Sequence, residues 1–201
     1  MRKKGMLSHK KSLNILKKTN ALLEGHFVLS SGLHSSKYIQ CAKLLSFPNL
    51  SNLICLSLAK KIKKKFKKLD LILAPAMGGV IIGYEIGRIL KKETIFCERV
   101  DGKFQLRRGF HIKKGSKVLI IEDVITTGKS SLECVKLILK AKAKLLGFAT
   151  IIDRSTKKNL KIKKEIISQM KINVPTFKKN NLPDSLKVIP ITVPGSRFIK
   201  Q

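Results

Sequence analysis

The sequence predicts an α/β domain in which a central parallel sheet is flanked by helices. Three observations carry this. From residue 69 onward short apolar blocks alternate with segments of helical period, the order that builds a parallel sheet covered by helices. The 201 residues are 43% hydrophobic with a mean hydropathy of +0.01, enough for one core at a length where about 70% of the unfolded surface is buried. The apolar residues also come in blocks, which excludes global disorder. No apolar run approaches the ~20 residues of a membrane span, and the basic stretch 2–18 is not followed by an apolar segment that would signal secretion.

The elements are read in order. An amphipathic helix is expected to end near Leu23, followed by the irregular stretch 24–40, whose hydroxylated residues and two glycines suit a substrate loop or short hairpin. A second helix begins at Pro48, a good first-turn residue, and lines up Leu50, Ile54, Leu58, Ile62 and Phe66 at i+4 steps. Then come a strand over 71–74, a helix from about 80 to 90 and a strand over 94–97. The polar stretch 98–109 carries Arg99, Lys103, Arg107 and Arg108 and is read as a lid rather than a surface hairpin. It is followed by a turn at Lys114-Gly115, an apolar strand over 118–121, a loop over 122–130, a helix through about Lys144 and a strand over 148–152. The tail beyond Asn180, with Pro183, Pro190 and Pro194, is expected to be extended and packed on the surface.

The charge is extreme but does not identify a function. There are 43 Lys+Arg against 12 Asp+Glu, a net charge of +31, and the basic residues are 36 Lys and only 7 Arg. Base readout and bidentate phosphate clamping favour the guanidinium. The runs 60–68 and 157–164, punctuated by Ile62, Phe66, Leu160 and Ile162, read instead as solvated Lys faces over an apolar seam. Any nucleic-acid binding is therefore expected to be non-specific. Cys41, Cys55, Cys97 and Cys134 form no C-x-x-C pair and read as small core residues of a reduced, cytoplasmic protein. The four histidines show no ligand spacing, so no zinc site is expected.

Chemistry concentrates in Val118-Leu119-Ile120-Ile121-Glu122-Asp123-Val124-Ile125-Thr126-Thr127-Gly128-Lys129-Ser130-Ser131. A buried strand here runs into a hydroxyl-rich turn and then a helix, and ligands of open α/β sheets bind where such turns leave the carboxyl ends of strands. Ser130 and Glu133 have capping-box spacing, and amides beside a helix N-terminus make a phosphate cradle. Glu122 and Asp123 would repel a phosphate, so sugar hydroxyls or a developing positive charge are their natural partners. Gly128-Lys129-Ser130 matches the end of a P-loop, but the first glycine would have to stand at 123, which is Asp123.

The strand, acidic pair and Thr-Thr-Gly-x-Ser turn resemble the phosphoribosyl-diphosphate (PRPP) signature of type I phosphoribosyltransferases. Within that family the chain is similar to orotate phosphoribosyltransferases through residues 25–35, through Ala74-Pro75-Ala76-Met77-Gly78-Gly79 and through Ile152-Asp153-Arg154. The resemblance implies one domain over 1–201, with an N-terminal helix and substrate hood (1–45) and an α/β core (46–201). It implies transfer of ribose 5-phosphate from PRPP to N1 of orotate, in pyrimidine biosynthesis, with Mg²⁺ held mainly by PRPP. Val124, Ile125, Thr126, Thr127, Gly128, Lys129 and Ser130 would bind PRPP, the 5′-phosphate on the amides and hydroxyls of 126–130; Glu122 and Asp123 would take the ribose hydroxyls, and Met77, Gly78 and Gly79 the pyrophosphate. Arg154 would clamp the orotate carboxylate as a bidentate fork, with Thr126 as a second contact.

Relatives carry Lys where this chain has Ser30 and Gly78, and their lids are rich in Lys and His, whereas this one has no His before His111. Arg99 and Lys103 are the candidate catalytic lid residues, reaching the neighbouring subunit of a homodimer if the resemblance extends that far. Two other readings stand beside the enzyme. A purine-type phosphoribosyltransferase would share the cradle but build a different hood. A PRPP-sensing regulator would need a helix-turn-helix or an Arg-rich patch, and neither is found.

Overall fold

The computed structural model describes residues 5–29 and 31–193; Ser30, Pro194 and residues 2–4 of the basic N-terminal stretch lie outside them. The Ser8 hydroxyl accepts from the Lys11 amide at 3.3 Å and starts α1 (His9–Lys18). This helix stops short of the expected residue 23. Asn20 turns the chain at φ 53, and Leu22–Val28 (β1) pairs antiparallel with His34–Ile39 (β2). A register shift between Glu24 and Phe27 breaks the period-2 pattern that would have announced β1. A short helix α2 (Cys41–Leu45) leads to α3 (Pro48–Lys65), with Pro48 in its first turn as expected.

The core strands and helices then alternate: β3 (Leu71–Pro75), α4 (Gly78–Leu90), β4 (Glu93–Val100), β5 (Lys103–Gln105), β6 (Lys117–Ile125), α5 (Lys129–Lys140), β7 (Lys144–Asp153) and β8 (Ile166–Lys171). The six-stranded sheet has the order β5-β4-β3-β6-β7-β8. Every neighbour pair is parallel except β4 with β5. The central strand β6 extends through the acidic pair to Ile125, so Glu122 and Asp123 stand on the sheet and not in the loop expected over 122–130.

Alternate residues of β6 feed two cores. Leu119 and Ile121 meet Ile54, Leu58 and Ile62 of α3 and Ile82 and Ile86 of α4, while Val118 and Ile120 meet Cys134 and Ile138 of α5 and Phe104 of β5. All four cysteines are buried and free, as expected of core residues.

Three further expectations are corrected. Residues 98–109 begin as a hairpin: Glu98 faces Gln105, Arg99 faces Phe104 and Val100 faces Lys103, and the buried Phe104 anchors the hairpin on α5. The lysine run 157–164 forms no helix. It is a loop between β7 and β8, with Ile162 buried. The tail is only partly extended: after β9 (Thr176–Phe177) and a short 3-10 turn, it forms α6 (Asp184–Lys187) and β10 (Ile191–Thr192). The last two strands complete a second sheet, β10-β1-β2-β9, so the hood is not confined to residues 1–45.

Candidate active site

The carboxyl ends of β3, β6 and β7 and the N-termini of α4 and α5 converge under the hood. Between β6 and α5, Thr126, Thr127 and Gly128 form the turn. Gly128 is required there by its left-handed φ of 74° and by Ile162, whose Cδ1 would lie 2.5 Å from an added Cβ. The same loop that supplies Ile162 ties down the turn through the Lys161 amide, which donates to the Thr127 carbonyl at 3.0 Å. Gly128, rather than Ser130, caps α5 and makes no side-chain cap bond. The expected capping box is absent because Glu133 pairs with Arg99 at 2.8 Å instead. The Lys129 amide donates to the Thr127 hydroxyl at 3.3 Å, and the Ser130 and Ser131 amides have no intrahelical acceptor, beside the positive end of the helix dipole. A phosphate would satisfy them.

The acidic pair stands on β6 just before this turn, Asp123 on the α4 side and Glu122 on the α5 side. Asp123 accepts from the Val124 amide at 2.9 Å, and its carboxylate lies against Gly78, where any Cβ would come within 2.7 Å of Oδ1. The glycine lets the start of α4 reach the acid, and no side chain could replace it without displacing the Asp123 carboxylate. The Asp123 carbonyl is fixed by the Thr150 hydroxyl at 2.9 Å and by the Cys41 thiol of the hood at 3.8 Å. Glu122 accepts from the Ser131 hydroxyl. Burial pushes the Glu122 carboxyl up to about 7, against the Ser131 bond and with the help of neighbouring Asp123, and burial likewise raises Asp123. Two carboxyls held this way gain from partners that donate hydrogen bonds.

Arg154 follows β7 directly, and its amide donates to the Ile125 carbonyl at 2.8 Å. Its Nε is buried with no hydrogen-bond partner, and burial depresses its basicity while Cys41 and Tyr38 of the hood stand near enough to oppose this. A buried guanidinium donor without an acceptor is set for an incoming anion. Met77 is 85% exposed and precedes α4, with the buried Gly79 seated against the Ile121 carbonyl and Ala74.

The structure therefore brings together Glu122, Asp123, the 126–130 turn, residues 77–79 and Arg154. It does not bring the lid residues to them within one chain. Arg99 is held by Glu133 and stacked over Phe104 at 4.1 Å. Lys103 lines a groove with Leu137 and Lys140, about 10 Å along α5 from Ser130 at 1.5 Å per residue. Sequence reasoning missed Ser131, Thr150, Cys41 and Ile162; only Ser131, inside the quoted motif, carried any local signal. Among the described residues no group of three or more His, Cys, Asp or Glu could hold a metal ion.

Comparisons with known proteins agree with this geometry. Residues 48–183 match the phosphoribosyl transferase domain. A protein of Erythrobacter litoralis named orotate phosphoribosyltransferase is 43% identical over 187 residues, 92% of this chain and 96% of that one. Among solved structures, orotate phosphoribosyltransferase from Aeropyrum pernix superimposes with a TM-score of 0.66 at 23% identity, covering 79% of this chain and 92% of that chain. An adenine phosphoribosyltransferase gives 0.64 at 17% identity, covering 78% and 99%. The two structural likenesses show the shared fold and do not separate the bases. The sequence likeness does, and on it the chain belongs to the orotate phosphoribosyltransferase family.

Proposed function

We propose that the protein transfers the ribose 5-phosphate group of PRPP to N1 of orotate, giving orotidine 5′-phosphate and pyrophosphate. The observation that carries this reading is the buried, unpartnered Nε of Arg154 just past the strand next to the cradle, where an acidic base needs a cation and a purine does not. The 5′-phosphate binds the amides and hydroxyls of the 126–130 turn. Glu122 and Asp123 accept hydrogen bonds from the ribose hydroxyls, and their charge favours the oxocarbenium-like state of the anomeric carbon. The backbone of Met77, Gly78 and Gly79 receives the pyrophosphate, and Arg154, with Thr126, orients orotate so that N1 faces the reacting carbon. Mg²⁺, bound through the substrate's own oxygens, supplies charge neutralisation to the leaving group.

The functional unit is proposed to be a homodimer. Met77, just before α4, and Ile81 and Tyr84 on it are 85%, 55% and 66% exposed; large apolar side chains exposed along one helix mark an interaction surface. Dimerisation there would let Arg99 and Lys103 act on the neighbouring subunit. A cytoplasmic location is supported by the four unpaired cysteines. The test is PRPP-dependent loss of orotate absorbance, with adenine and hypoxanthine as competing bases. Consumption of orotate alone is expected; turnover of a purine would favour the purine-type reading.

A further inference from the structure

Ser131 is fully buried on the inward face of α5, where its hydroxyl donates to Oε1 of Glu122. Small buried hydroxyls near a helix start usually bond back to the local backbone. Here the bond crosses from helix to strand. The groups that face Glu122 are few. Asp123 follows it on β6; Ser131 and the Cys134 thiol face it from α5, with the Cys97 thiol of β4 3.4 Å from that of Cys134. Thr150 of β7 lies opposite it in register but directs its hydroxyl to the Asp123 carbonyl. Among the described residues the Ser131 hydroxyl donates to Glu122 and no cation pairs with it.

We propose that Ser131 is a positioning residue for the transfer reaction, fixing the Glu122 carboxylate toward the ribose hydroxyls and selecting its ionised form. The inference rests on the reading of Glu122 as a ribose contact. A glutamate has one more rotatable bond than the aspartate beside it, and a carboxylate that must accept two hydroxyls gains from being held in one rotamer. The Ser131 bond also opposes the burial that pushes Glu122 up to about 7. Removing the hydroxyl leaves that burial unopposed, so the carboxyl then needs a higher pH to ionise.

The experiment is the pH profile of kcat/KM for PRPP from pH 5.5 to 9.5 for wild type, Ser131→Ala and Ser131→Thr, alongside a 13C NMR titration of the Glu122 carboxyl in each free protein. Ser131→Ala should move the acid limb and the NMR midpoint upward by about one pH unit, a roughly eightfold loss at pH 6.5 that nearly vanishes at pH 9. Ser131→Thr should restore both. If Ser131→Ala fails to fold, Ser131→Cys, a weaker donor of similar size, should show the same displacement in part. An unmoved NMR midpoint, or a loss equal at every pH, would overturn the proposal. Glu122→Gln separates it from the reading beneath: full activity in that variant would remove Glu122 from the reaction even if the NMR midpoint still answers to Ser131.

Discussion

Replacing Glu122 by Gln should stabilise the substrate-free protein, and only above a definite pH. Burial raises the Glu122 carboxyl from its ordinary 4.5 to about 7. In that interval the folded state holds a proton that the unfolded chain has released, so stability falls as pH rises from about 4.5 to about 7 and stays reduced above it. At about 1.4 kcal/mol per pH unit, the full displacement corresponds to about 3.4 kcal/mol. Water at the partly open site screens it to about 2 kcal/mol. Gln keeps the shape and still accepts from Ser131, but it has nothing to ionise. The same burial of Asp123 is present in both proteins and cancels in the comparison. Urea unfolding of the two proteins at pH 5 and pH 8 measures the difference directly. Glu122→Gln should be worth little at pH 5 and about 2 kcal/mol at pH 8. An equal difference at both values would show that Glu122 ionises normally in the fold, and the electrostatic account of the acidic pair would fail.

Arg154→Ala should raise the KM for orotate far more than that for PRPP, since one substrate alone loses a partner; equal effects in steady-state kinetics would mark a structural arginine. Gly128→Ala combines a left-handed φ with a Cβ 2.5 Å from Ile162. Thermal unfolding should register about 1–3 kcal/mol of destabilisation, with a raised KM for PRPP. Lys103→Ala and Asp123→Asn homodimers should each be nearly inactive, and mixing them under subunit exchange should recover about a quarter of wild-type activity, one good site in each hybrid. Stable hybrids without recovery would place the lid over its own subunit.

What the sequence showed plainly was what local pattern encodes. The strand within 118–121 is apolar at every position, because a central parallel strand has no solvent face, and the i+4 series of α3 needs no distant partner to be read. The phosphate turn was legible as a motif, and with it the acidic pair. Its details were not. Ser130 and Glu133 have the spacing of a capping box, but a tertiary ion pair with Arg99 takes the glutamate away. The run 157–164 has residues that favour helix, yet its path is set by contacts with Thr127 and Gly128 that lie some 30 positions earlier. The hairpin over 98–105 is masked by charged residues on a strand pair at the sheet edge, and only Phe104 marks its buried side. β1 was legible only as one arm of the short hairpin offered for 24–40, because its bulge interrupts alternation, and β10 escaped because two residues pairing with a distant strand leave no local trace.

That last pairing has a bearing on how the protein is made. His26 and Phe27 of β1 lie beside Ile191 and Thr192, so the hood joins two segments that leave the ribosome about 165 residues apart. At about 5–20 residues per second, β1 and β2 emerge some ten seconds or more before their parallel neighbour exists. The phosphate cradle needs nothing beyond residue 171 and can assemble earlier. During synthesis the nascent chain therefore passes through a stage with a formed cradle and an unfinished lid of sheet above it, with one edge of β1 open to pairing with other chains.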